Sequence, residues 1–126
     1  MCEAIDNSEF HENVLEEIRA EKEQLFSAAL KEKNSFEASV QKIQRTKLHP
    51  VVRRCNGAPT ISWKRDGHLC KGRQEKYPGG TFKSEPDAVR ELAIQYEHRF
   101  YQIRRQVKFL TEMESLLKKK QKEIRL

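Results

Sequence analysis

Between residues 87 and 126 an apolar side chain returns every seventh position: Val89, Tyr96, Ile103, Leu110, Leu117 and Ile124. Leu92, Ala93, Phe100, Val107 and Met113 fall three or four residues after members of that series. A stripe with this period is the seam of a long helix laid against another helix. At ~1.5 Å per residue the helix would be roughly 60 Å long. Its start is written in Ser84-Glu85-Pro86-Asp87. Ser84 is placed to accept first-turn N–H groups, Pro86 sits where a missing N–H costs nothing, and Asp87 completes a capping-box spacing. No Gly, Asn or Pro follows the last periodic residue, so the sequence carries no signal that helix or protein stops at Leu126.

A second, weaker stripe precedes it. Leu15, Ile18, Leu25, Ala29, Phe36, Val40 and Ile43 keep three-four spacing, interrupted by Lys22 and Glu32. Asp6 or Ser8 can cap this first arm, with Glu9 and Glu12 in its opening turn. His49-Pro50 ends it, because the residue before a proline is pushed out of the helical region. Residues 1–7 read as a disordered N-terminus, 8–47 as the first coiled-coil helix and 85–126 as the second. The arms are of nearly equal length. The expected fold is mainly α: an antiparallel two-helix coiled-coil hairpin with a small β-hairpin tip, residues 48–84, inserted between the arms.

The tip is read from a change of period. Thr60-Ile61-Ser62-Trp63 has strand character, Asp66-Gly67 suits a two-residue turn, and His68-Leu69-Cys70-Lys71 reads as the returning strand. Pro78-Gly79-Gly80 makes a second turn before Thr81-Phe82. Trp63, Leu69, Tyr77 and Phe82 are the apolar cover available to so small a sheet, which needs the helix ends to pack on.

Charge sharpens this division. Residues 1–46 hold 6 Lys and Arg against 10 Asp and Glu; residues 47–85 hold 9 against 3; residues 86–126 hold 10 against 6. The acidic start of the first arm (Glu9, Glu12, Glu16, Glu17, Glu21, Glu23) is therefore expected beside the basic end of the second (Lys118, Lys119, Lys120, Lys122, Arg125) in an antiparallel hairpin. In the tip, Arg53, Arg54, Lys64, Arg65, Lys71 and Arg73 are candidate phosphate-positioning cations, with Trp63 or Tyr77 as a stacking surface. The order strand, strand, short strand and capped helix resembles in outline, without a diagnostic motif, small three-stranded DNA-binding modules of the integrase and plant transcription-factor kind.

Other chemistry is sparse. His49, Cys55, His68 and Cys70 are metal-ligand residue types, but no C-x-x-C or H-x3-H pair is present, and no metal or other cofactor is expected. There is no G-x-S-x-G, no phosphate-cradling glycine loop and no carboxylate pair in an apolar setting, so the chain is not expected to be an enzyme or to take a small-molecule substrate. No window approaches ~18 consecutive apolar residues, so no membrane partner is expected. Three cysteines fit a reducing intracellular compartment, nucleus or cytoplasm, better than a disulfide framework. The leading expectation is a non-enzymatic coiled-coil scaffold subunit whose partner is another helical protein or a second copy of itself. Ile94, Tyr101, Phe109 and Leu116, with Phe10, Val14, Phe26 and Leu30, lie outside a single seam and need other cover. The alternative is a small nucleic-acid-binding module that contacts DNA or RNA phosphates through the basic tip while its helices dimerise.

Overall fold

The computed structural model describes residues 7–65, 68–69 and 82–125. The expectations at residues 1–6, the Asp66-Gly67 and Pro78-Gly79-Gly80 turns, Cys70, Lys71, Arg73, Tyr77 and the Ile124 side chain lie outside them. The chain forms α1 (Asn7–Ile43), β1 (Leu48–Cys55), β2 (Ala58–Arg65), the two-residue β3 (His68–Leu69) and α2 (Asp87–Arg125). The fold is mainly helical, with two long helices and an antiparallel sheet between them in sequence. The helices run antiparallel. The Ser35 and Tyr96 hydroxyls meet at 2.5 Å, Arg99 reaches Glu32 at 3.0 Å and Lys22 reaches Glu114 at 3.0 Å, so partners move down one helix as they move up the other.

β1 is absent from the sequence reading, which carried the first arm to residue 47 and began the strands at Thr60. In the structure α1 ends at Ile43. The Leu48 N–H donates to the Thr46 hydroxyl at 3.1 Å, an ordinary Thr-built turn that redirects the chain. β1 then pairs with β2 over eight positions, from Leu48 opposite Arg65 to Cys55 opposite Ala58. The turn is Asn56-Gly57, with φ of 51° and 82°. Two consecutive left-handed residues are what a tight hairpin with right-handed strand twist requires, and Asn-Gly is the pair that adopts them most readily. Pro50 is tolerated because β1 is the edge of the sheet, where a missing N–H breaks no ladder.

The sheet does not stand out from the helix ends. It folds back along the helix pair. Leu48 joins the cluster beside Val40, while Arg54, at the far end of β1, pairs with Glu23 and lies 4.2 Å from the Phe26 ring centre. One face of the sheet thus becomes the third wall of a core. Trp63 is wholly buried there, edge-on to Phe36, Phe82 and Phe100 at ring separations of 5.1, 5.0 and 5.7 Å. Phe36 also meets Tyr96, and such tilted pairs add to the gain from burial. Leu25, Ala29, Val40, Ile61, Val89, Ala93 and Ile103 complete the cluster.

The apolar stripes are buried unevenly. Leu15, Ile18, Leu25 and Phe36 on α1, and Val89, Tyr96 and Ile103 on α2, are buried, but Leu110 and Leu117 are only half-buried. Ile43 is 46% exposed, which corrects its assignment to the seam: the helix stops there and β1 turns away from it. Lys22, read as an interruption, is buried in the helix contact with its ammonium on Glu114. Among the described residues none of the expected pairs between the acidic start of α1 and the basic end of α2 forms; Lys118 pairs along its own helix with Glu114.

The start of α2 also differs from the capping-box reading. The Arg90 N–H bonds to the Pro86 carbonyl and the Glu85 N–H to the Phe82 carbonyl, while the Glu85 carboxylate takes the Thr46 hydroxyl at 2.6 Å and lies 3.3 Å from Arg65. Glu85 therefore ties the end of α1, the end of β2 and the start of α2 together. Phe36→Ala is expected to cost about 3–5 kcal/mol, whereas Ile43→Ala should cost less than about 0.5 kcal/mol, although periodicity puts both in one stripe. Urea unfolding of the two variants checks this, and comparable losses would contradict the packing described.

Candidate functional site

Strand periodicity sorts the basic candidates into two groups. Side chains alternate across a strand, and in β1 the even positions Leu48, Pro50, Val52 and Arg54 face the helices. Their partners across the ladder include Ile61, Trp63 and Arg65. Arg54 is engaged with Glu23 and Phe26, and Arg65 with Glu85. Trp63, offered by the sequence both as apolar cover and as a stacking surface, has no free face on which a base could lie. Arg53 and Lys64 occupy the opposite parity and face outward, and neither forms an ion pair among the described residues. The eight tip candidates therefore do not form one basic surface here: three are structural, two are outward, and Lys71, Arg73 and Tyr77 are not described.

Trp63 has a second partner that sequence reasoning missed. Its indole N–H donates to Glu97 Oε1 at 2.9 Å. Glu97 is buried on α2, and Arg104, two turns on, donates to its Oε2 at 2.6 Å. The same guanidinium donates from Nε and a terminal nitrogen to the Ile61 carbonyl, at 3.2 and 3.1 Å. A buried carboxylate is tolerable only when paired and hydrogen-bonded, and here both oxygens are used. The i, i+7 spacing of Glu97 and Arg104 was the available signal. The arrangement fastens α2 to β2, and it faces no cleft.

Beside it, Ser35, Ser39, Glu32, Tyr96 and Arg99 make a polar strip where the helices meet. Burial by itself would push the Tyr96 phenol up, but hydrogen bonds with Ser35 and Ser39 and the nearby Arg99 charge outweigh it and leave the phenol below its ordinary value. The hydrogen bond to Glu32 holds Arg99 above its ordinary value. These groups join the helices. Among the described residues no three His, Cys, Asp or Glu side chains gather as metal ligands.

The open surface lies elsewhere. A cleft of about 480 Å³ runs between the helices, lined by Glu21 and Leu25 of α1 and by Gln102, Arg105, Gln106, Phe109 and Leu110 of α2. At ~100° per residue, Phe109 sits roughly 120–140° around α2 from Glu97 and Arg104, so the cleft opens on the side away from the sheet. Phe109 is 61% exposed, and Leu116, one heptad on, is 58% exposed. Phe10 is 54% exposed and lies three turns before Glu21 on the same face of α1. Phe10, Phe109 and Leu116 are thus three of the four large apolar side chains exposed among the described residues, the fourth being Ile43 at the end of α1. Cys55, at the hairpin turn, is exposed and free.

No helix among the described residues is long and apolar enough to cross a membrane. No known protein family, curated protein or solved structure matches the chain.

Glu97→Ala should cost about 3–5 kcal/mol, since it removes the buried carboxylate that accepts from both the Trp63 indole and the Arg104 guanidinium. The Glu97→Ala/Arg104→Met double variant should cost less than the sum of the two single losses, because both residues belong to one hydrogen-bonded chain. Trp63 is the single tryptophan, so its fluorescence reports both variants in a denaturant series; additive losses would show that the two residues act independently.

Proposed function

We propose that the protein is a non-enzymatic interaction subunit: a helical hairpin, its arms packed as a coiled coil, that presents one open helical face to a protein partner in a larger intracellular assembly. The observation that carries this reading is the exposure of Phe10, Phe109 and Leu116 along the face turned away from the sheet. Scattered surface apolar residues are ordinary, but large ones aligned beside a groove mark an interaction site. The buried Glu97 and Arg104 are engaged with Trp63 and β2 and fasten the sheet to the helices. A reducing compartment, nucleus or cytoplasm, suits the exposed Cys55 thiol.

The nucleic-acid reading draws less support. Of its candidates, Trp63 is enclosed, Arg54 and Arg65 are paired with carboxylates, and only Arg53 and Lys64 among the described residues face outward. Those two cations are fewer than the several phosphate contacts on which salt-dependent binding ordinarily rests.

Under this reading the double substitution Phe109→Lys with Leu116→Lys leaves the chain folded, because both side chains are exposed, and releases it from its assembly. Native mass in an extract of the producing cells measures this. Wild type is expected to run well above the 14.9 kDa of one chain and the variant at that mass. Equal mass for the two would remove the face from the argument.

A further inference from the structure

We infer that the helix pair carries a conformational device. Beyond the contact of Lys22 with Glu114 its two arms, residues 7–22 of α1 and 110–125 of α2, part as one unit while the core around Trp63 stays closed. The inference goes beyond the interaction reading. The open face of that reading is present with the arms together, whereas parting the arms presents the seam itself.

The seam changes character along its length. Four-three spacing places His11, Leu15, Ile18, Lys22, Leu25 and Ala29 along it on α1, and Ile103, Val107, Leu110, Glu114, Leu117 and Gln121 on α2. Leu25, Ala29 and Ile103 belong to the main apolar cluster, with Val107 and Leu110 packed against it. Next comes a charged layer. Lys22 Nζ lies 3.0 Å from Glu114 Oε1, and the two side chains are 3% and 16% exposed. Taking two charges out of water offsets most of what their attraction gains. Such a layer fixes which residues meet and holds the helices less firmly than an apolar layer would.

Past that layer little apolar surface is buried. Leu15 and Ile18 are buried but stand outside the main cluster. No described residue of α2 after Ile103 is fully buried, and Met113 and Leu117 are only half-buried. The outermost polar seam positions are not paired at all. His11 Nδ1 and Gln121 Nε2 are buried with no hydrogen-bond partner among the described residues, and a polar group in that state loses its hydration without return. Segments with few buried apolar contacts are the ones that open locally at low cost. An arm released from its partner is only a few turns long, and a helix of that length is marginal by itself. The two arms are therefore kept or lost together.

Native-state hydrogen exchange on the purified full chain, read residue by residue by NMR in rising sub-denaturing urea, tests this. The amides of residues 11–22 and 110–121 are expected to share one opening free energy. It should lie well below the value shared by residues 26–40 and 90–104, with a step at the Lys22–Glu114 layer. Ordinary end fraying gives protection that falls smoothly toward residues 7 and 125, and a single cooperative unit gives one value throughout; either pattern overturns the proposal. Two substitutions, each checked as folded by Trp63 fluorescence, make the test independent of the profile. Val89→Ala thins the main cluster, so exchange should quicken on the order of tenfold at 90–104 and stay unchanged at 11–22 and 110–121. Ile18→Ala weakens the arms, whose opening is also part of global unfolding, so exchange should quicken in both sets. Equal quickening of both sets by Val89→Ala would make arms and core one unit and would likewise overturn the proposal.

Discussion

The buried chain of contacts from Trp63 through Glu97 and Arg104 to the Ile61 carbonyl is the constraint on which the arrangement of this protein depends. Two helices alone have a seam but no third wall. The sheet supplies that wall, yet a two-strand hairpin is only marginally stable on its own. Trp63 resolves both problems by leaving the sheet and entering the space between Phe36, Phe82 and Phe100. Its indole N–H must then find an acceptor away from water. Glu97 provides one, but a carboxylate there requires a cation, and Arg104 provides that while also satisfying a backbone carbonyl of the strand it sits beside. Each polar group is present because the previous one was buried.

This sequence of requirements explains where the chain was readable and where it was not. The seam on α2 was plain because a seven-residue period survives any detail of what packs on it, and Val89, Tyr96 and Ile103 are buried as that period implies. The same period could not say that Leu110 and Leu117 would be only half-buried. Ile43 fits the spacing of α1 and is exposed, since a helix end satisfies periodicity without having a neighbour. β1 was not legible because Pro50 reads as the stop of the first arm and Arg53-Arg54 as surface cations, whereas the Asn56-Gly57 turn makes the same residues a strand. Once that turn is in place, strand parity alone divides Arg53 from Arg54 and Lys64 from Arg65. A run of basic residues read as one surface is thereby split into an outward pair and an inward pair.

Electrostatic expectations failed in an instructive way. Block charges pointed to an acidic α1 start against a basic α2 end, which is right for direction and wrong for the contacts. Of the cross-helix ion pairs among the described residues, Lys22 with Glu114 and Arg99 with Glu32 each use a residue, Lys22 or Glu32, that looked like a fault in the stripe; Arg19 also lies 3.9 Å from Glu114. Long side chains at the margin of a seam can pack their aliphatic stems and still deliver a charge. Among the described residues no ion pair joins the acidic start of α1 to the basic end of α2.

That residue of unanswered charge, together with uneven burial, is what separates the two ends of the molecule. At the sheet end one face of the sheet closes the helix pair as a third wall, and the inward-facing cations are matched: Arg54 with Glu23, Arg65 with Glu85, Arg104 with Glu97. At the other end the same two helices continue without the sheet, with Phe10, Phe109 and Leu116 in solvent and Glu17, Glu21 and Arg105 without ion-pair partners among the described residues. Exposed apolar surface of that kind costs free energy in proportion to its area, at about 25 cal/mol per Å². A chain that packs one end so thoroughly has the side chains needed to close the other, and polar residues at Phe109 and Leu116 would leave the hairpin's own seam unchanged. Their exposure beside a groove is the surface that the proposed association would cover.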